Sequence, residues 1–185
     1  MTAATVTTAT TAIRLLDEAE TLRVLPDLCE VLADCIDGGA SLGFMSPFAP
    51  SDGVPFWQGV AAAVGRGEVL LYVAEVEGRV RGTVQIGFAS KPNQPHRADL
   101  MKLLVHRSAR GLGLARRLMA AAENGAVEAG RTLLVLDTAT GEPAEGIYEK
   151  LGWQRTGVIP AYALFPDGRF CDTTIFYKNL ASTSA

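Results

Sequence analysis

The stretch that most limits what this chain can become is Arg110-Gly111-Leu112-Gly113-Leu114-Ala115. Two segments of different periodicity flank it. Upstream, Leu100-Met101-Lys102-Leu103-Leu104-Val105 is short, apolar and branched, as a buried strand is. Downstream, Leu114, Leu118, Ala121, Ala122, Gly125, Ala126 and Ala129 recur at roughly helical spacing, and Gly130 is placed to stop the helix. The glycines therefore stand where a strand turns into a helix. Such a turn aims free backbone N–H groups and the positive end of the helix dipole at solvent, which suits a phosphate. At Gly111 and Gly113 no Cβ blocks an anion's approach to the backbone.

Two familiar phosphate loops are excluded. In the dinucleotide pattern G-x-G-x-x-G the third glycine would fall at Arg116, and no Gly-Lys-Ser/Thr follows as in a P-loop. What remains is Arg-x-x-Gly-x-Ala, Arg110 through Gly113 to Ala115, with Leu103 and Val105 upstream. A second pattern lies one strand-and-helix unit further on. Ala144-Glu145-Gly146-Ile147-Tyr148-Glu149-Lys150-Leu151-Gly152-Trp153 reads as an amphipathic helix with a glycine cap and a Trp opening the next strand. The first pattern resembles the pyrophosphate loop of the GNAT superfamily of N-acetyltransferases. The second resembles the A-x-x-x-Tyr-x-x-x-Gly-aromatic signature of the same superfamily. The resemblance runs from Ile13 to Lys178 and is most specific from Asp99 to Trp153. Within it, His96-Arg97-Ala98-Asp99, Ser108-Ala109-Arg110-Gly111, Leu136-Asp137-Thr138 and Pro166-Asp167-Gly168-Arg169 look like runs of the tabtoxin-resistance acetyltransferases.

The other elements alternate. Ile13–Leu16 is a short strand. Leu22, Leu25, Leu28, Cys29, Leu32, Cys35 and Ile36 keep helical spacing up to Gly38-Gly39. Pro26 sits inside that pattern, so the helix either starts after Leu22 or kinks. Ala40–Phe48 is a loop carrying apolar side chains, and Pro55 opens a second helix. Val69–Val76 and Val80–Ala89 form a hairpin about Glu77-Gly78-Arg79. After Leu100–Val105 and the glycine-turn helix come a strand at Leu133–Leu136, a helix at Pro143–Leu151, and strands near Gln154–Val158 and Thr173–Tyr177. This order implies a mixed sheet with helices on both faces. The resemblance makes it an α/β (α+β) fold with a mixed, mostly antiparallel central sheet of about seven strands.

Composition sets limits on function. A chain of 185 residues suits one domain with a sizeable core, expected here over 13–180. Residues 1–12, nearly all Thr and Ala, and 181–185 are expected to be unstructured tails. A net charge of −3 gives no argument for nucleic acid, and no apolar run approaches membrane-spanning length. Cys29, Cys35 and Cys171 are odd in number and lack metal-ligand spacing, which points to a reducing, cytoplasmic setting and no metal.

The resemblance implies acetyl-CoA as co-substrate and a primary amine as acceptor, such as that of an amino-acid-like antibiotic or toxin. It places the cofactor on Leu103, Leu104 and Val105, on Arg110, Gly111, Leu112, Gly113, Leu114 and Ala115, and beside Tyr148. Tyr148 would then protonate the departing thiolate. Amide formation needs a neutral amine, and amines of pKa near 8 to 10 start largely protonated, so the site needs a proton acceptor. Asp99 and Asp137 are the candidates, and the resemblance carries acids at both places. Each also reads as a surface or capping carboxylate, and an Asp of pKa near 4 would need burial or a water relay. His106 is a further, less favoured base. Leu42, Phe44 and Met45 of the apolar loop are expected to line the acceptor pocket. A non-catalytic acyl-CoA sensor and a protein or peptide amine acetyltransferase stay open as alternatives, and so does monomer against homodimer.

Overall fold

Pro26 divides the first helical pattern in two. In a computed structural model that describes residues 10–180, β1 runs Thr11–Leu16 and α1 runs Glu18–Arg23. Asp17 starts α1 with a capping box: the Glu20 N–H donates to its carboxylate at 2.7 Å, and the Glu20 carboxylate accepts the Asp17 N–H at 3.1 Å. The chain breaks at Val24, and α2, Leu25–Asp37, takes Pro26 into its first turn, where a missing N–H removes no helical bond. Leu22 thus belongs to α1 and is 46% exposed, off the buried face that Leu28, Leu32 and Ile36 continue.

A short 3-10 turn at Pro50–Gly53 leads into α3, Val54–Gly65, which buries Trp57, Val60 and Ala61. Strands β2, Val69–Val76, and β3, Arg79–Phe88, meet at Glu77 and Gly78, with φ of 52° and 79°. Two positive φ values in a two-residue turn match the twist of the strands they join. Then follow β4, Arg97–Val105; α4, Leu114–Glu128; β5, Leu133–Ala139; α5, Pro143–Lys150; β6, Gln154–Leu164; and β7, Phe170–Asn179. The last four strands are longer than their apolar runs suggest, because each continues into residues of the cleft described below or of an exposed edge.

The seven strands form one sheet in the order β1-β2-β3-β4-β5-β7-β6, antiparallel except between β4 and β5. One face packs on α4 and α5 through Leu100, Leu118, Leu134, Tyr148, Trp153 and Phe176. The other packs on α2 and α3 through Leu28, Leu32, Ile36, Trp57, Leu71 and Val73. Helices on both faces of a mixed, mostly antiparallel sheet are what the sequence led us to expect. The tails expected at 1–12 and 181–185 fall mostly outside the described residues; Thr11 and Ala12 belong to β1.

Candidate active site

The parallel contact between β4 and β5 is short. It holds for Arg97↔Leu133, Ala98↔Leu134 and Asp99↔Val135, and then the strands separate. Beyond Asp99, β4 keeps its partner β3 and β5 keeps its partner β7, so the two inner edges face an opening. Leu103, Leu104 and Val105 lie along the β4 side of it. Leu104 is buried beneath α2 and α3, whereas Leu103 and Val105 pack partly against the α4 core.

At the end of this edge the chain turns through Arg107–Ala109 and the glycines into α4. Gly111 and Gly113 have φ of 82° and 72°, and open space lies where a Cβ on either would project. Gly113 caps α4 without a side-chain bond, so the first N–H groups of a helix of 15 residues keep their donors. Arg110, Gly111 and Leu112 are exposed, Ala115 is half-buried, and Leu114 turns inward to anchor the helix. Arg107 ties the turn to the end of α2: its N–H donates to Asp34 at 2.8 Å, and its guanidinium bonds Asp34 and Asp37. The His106 ring joins the same anchor, with Nδ1 2.8 Å from the Ser108 hydroxyl and Nε2 3.4 Å from Asp34. Those contacts hold it in the turn rather than in the opening.

On the sheet face away from α4 the separating strands frame a cleft of about 200 Å³, lined by Asp99, Met101, Val135, Asp137, Tyr162 and Ile175. The two expected acids thus meet in one place, from opposite strands. They differ in company. The Asp99 carboxylate accepts from Arg97 at 2.8 Å, two residues back on the same strand face, whereas Asp137 has no ion pair among the described residues. Tyr162 escapes the sequence patterns. It reaches the cleft because β6 loses register with β7 between Ile159 and Ala163, where Ala161 has φ of 50° and donates its N–H to Asp172 at 2.8 Å. Pro160 is the trace such an irregularity leaves in sequence.

The apolar loop meets this region from the side. Leu42 and Phe44 are half-buried, and the Phe44 ring lies 4.9 Å from that of Phe48 and 5.6 Å from that of Phe56. Met45 is exposed, and none of the three lines the cleft itself. The connection runs through Lys102, whose ammonium donates to the Leu42 carbonyl at 2.9 Å and stands 5.6 Å from the centre of the Phe56 ring. Burial pushes its pKa down, and the charge of Asp137 acts in the opposite sense.

Tyr148 sits on α5, buried, with its ring 5.8 Å from Phe176 and 6.1 Å from Trp153. Burial raises the phenol's pKa far above its ordinary value, and the negative charge of Asp137 adds to the rise. Its hydroxyl has no protein hydrogen bond among the described residues. The helix is held by Glu145, which accepts from the Gly141 N–H at 2.7 Å, bonds the Thr174 hydroxyl, and lies 3.4 Å from Arg155. Trp153 is fixed separately by donating to Glu123 at 2.9 Å. Among the described residues, no helix is long and apolar enough to cross a membrane.

A seven-stranded mixed sheet that opens between β4 and β5, with a bare glycine turn at the end of the opening, is an acetyltransferase fold. The chain belongs to the acetyltransferase (GNAT) family, whose sequence profile matches residues 43–153. It is 34% identical over 115 residues to an uncharacterized N-acetyltransferase of the hisH-hisA intergenic region of Azospirillum brasilense, covering 61% of this chain and 67% of that protein. The fold is also that of yncA from Salmonella typhimurium, solved with its cofactor acetyl-CoA, at 19% identity, TM-score 0.74, and coverage of 95% of this chain and 97% of that one. A GNAT superfamily phosphinothricin acetyltransferase from Sinorhizobium meliloti, in complex with AcCoA, matches at 18% identity, TM-score 0.77, and coverage of 93% and 89%.

Proposed function

We propose that this protein transfers an acetyl group from acetyl-CoA to the primary amine of a small, amino-acid-like molecule. The observation that carries the reading is the juxtaposition at the strand opening. The glycine turn ends one strand, Asp99 and Asp137 face the cleft, and Tyr148 lies behind Asp137 on the α4–α5 side.

The residues fit acetyl-CoA. The space left where Gly111 and Gly113 lack a Cβ, and the uncapped start of α4, suit a pyrophosphate. Exposed Arg110 and Arg116 add positive charge beside it. The β5-facing edge of β4 at Leu103–Val105, which pairs with no strand among the described residues, suits the amide groups of an extended chain, which would pair with it as another strand does. When bound, acetyl-CoA supplies an activated acyl group and a thiolate leaving group.

The chain's own groups then have separate tasks. Asp137, without an ion pair among the described residues and open to the cleft, draws in an ammonium and passes its proton on through water. Asp99, held by Arg97, orients the same amine. Tyr148 stays a neutral phenol and donates a hydrogen bond toward the thiolate. Its raised pKa makes full proton transfer unfavourable, so stabilisation of the developing charge is the larger part of its role.

The runs shared with tabtoxin-resistance enzymes, and the fold shared with an enzyme named for phosphinothricin, support a small acceptor and a protective, resistance-type role. The three thiols are unpaired and buried, in keeping with the cytoplasm. The test is free-thiol release from acetyl-CoA by the purified protein across amino acids, dipeptides, polyamines and aminoglycosides, with acetylated product identified by mass. Release with a small amine supports the reading. Tight acetyl-CoA binding with no turnover on any amine would favour a sensor.

A further inference from the structure

Lys102 is where β4 breaks its own alternation. Met101 pairs with Gln85 and Leu104 with Thr83, so β4 carries one residue more than β3 across this span. Before the extra residue, Ala98 and Leu100 face the α4 core. After it, Leu103 and Val105 do, and Leu104 turns to the α2–α3 side. Lys102 stands at the shift with φ of 51°, a left-handed conformation that a Lys seldom adopts. Thr83, fully buried, fixes it by donating its hydroxyl to the Lys102 carbonyl at 2.9 Å. In consequence the neighbours Met101 and Lys102 both leave the sheet on the cleft side. Met101 lies over Gly87, and Lys102 extends toward Leu42 and Phe56.

The ammonium reached this way is underused. It has three donors, and among the described residues the one acceptor it meets is the Leu42 carbonyl. Asp137 lines the cleft on that same face of the sheet, and among the described residues the two form no ion pair. A positive group beside the cleft and a negative group lining it thus share one face of the sheet. That arrangement matches a molecule carrying both an ammonium and an anion.

We infer that Lys102 is the subsite for the carboxylate of an amino-acid acceptor whose amine meets Asp137. The inference rests on the acetyltransferase reading above and narrows its acceptor class. An amine without a carboxylate would leave donors of a part-buried ammonium unmatched in the complex, and sites built to pair a group discriminate against molecules lacking it. The bulge is then what carries selectivity, because a regular strand would send residue 102 into the α4 core.

The experiment uses the full chain with acetyl-CoA and three acceptor pools: the L-amino acids, their carboxamides and their decarboxylated amines. Thiol release is followed for the native protein, Lys102→Met and Lys102→Arg, with acetyl-CoA affinity by calorimetry and thermal unfolding as controls. The native protein should prefer the acids by roughly 10- to 100-fold in kcat/KM, expressed mostly in KM. Lys102→Met should lose that preference while binding acetyl-CoA as before, and Lys102→Arg should retain most of it. Equal use of all three pools by the native protein overturns the inference and leaves the acetyltransferase reading standing. So does a preference that survives in Lys102→Met, or a Lys102→Met loss that is the same for all pools, since a mere tie to the Leu42 loop would act on every acceptor alike. No acetylation of any pool, with acetyl-CoA bound, counts against the small-amine reading itself and removes this inference with it.

Discussion

Asp99 and Val135 form the last backbone pair of β4 with β5, and beyond them the two parallel strands separate. Two residues past Val135 stands Asp137, and three past Asp99 stands Lys102. Both face the cleft side, so the end of one pairing places the charged groups of the candidate site. The acids should not be equivalent, because Arg97 holds one of them and nothing among the described residues holds the other.

Asp137→Asn should therefore slow acetylation more than Asp99→Asn. The Asp137→Asn defect should shrink as pH rises, since acceptor amines of pKa about 8 to 10 become neutral unaided. Initial rates from pH 6 to 10 measure this. A defect that stays flat with pH would make Asp137 a positioning group only.

Gly113→Val should abolish measurable acetyl-CoA binding and leave the chain folded. A branched residue at φ of 72° is strained by roughly 1–2 kcal/mol, and its side chain would occupy the open space before α4. Calorimetry with acetyl-CoA, beside a far-UV CD spectrum, separates lost binding from lost fold. Unchanged affinity would remove the glycine turn from the site.

Glu145 should stabilise the fold in a pH-dependent way. Partial burial works to raise its pKa, but the Thr174 hydroxyl, the Gly141 N–H and Arg155 outweigh that and hold it below the ordinary value. A carboxylate depressed in the folded state adds stability that is present above the unfolded pKa of about 4.3, and that is lost as pH falls through the folded value. Glu145→Gln should lower Tm at pH 7, by about 2–4 °C per kcal/mol lost, and the difference should fade below pH about 4. A gap between the two melting curves that persists at acid pH would assign the loss to geometry instead of charge.

The glycine turn and the Tyr148 helix were legible in sequence because both rest on local chemistry. A strand-to-helix turn needs residues free to take positive φ, and a short helix needs its cap. Asp99 and Asp137 were found as acids by resemblance, but their meeting in one cleft depends on strand order, which no local pattern carries. Lys102 and Tyr162 were missed for one physical reason. Each owes its direction to a register shift, and an extra residue in a strand leaves no mark on apolar periodicity until its partner is known. Pro26 showed the converse: its presence was plain, and only the Val24 break decided between a late start and a kink.

Single-turnover acetyl transfer by Tyr148→Phe tests most directly whether Tyr148 acts on the thiolate leaving group at this opening. The ring keeps its packing on Phe176 and Trp153, and among the described residues the hydroxyl has no protein partner to lose, so Tm and acetyl-CoA affinity should hardly change. The transfer rate should fall about 10²-fold, the lower end for such a donor, because a thiol is only moderately basic. The raised pKa keeps the phenol protonated from neutral to moderately alkaline pH, so the defect should be the same throughout that span. A Tyr148→Phe protein that transfers acetyl groups at the native single-turnover rate would contradict the account and leave Tyr148 as core packing alone.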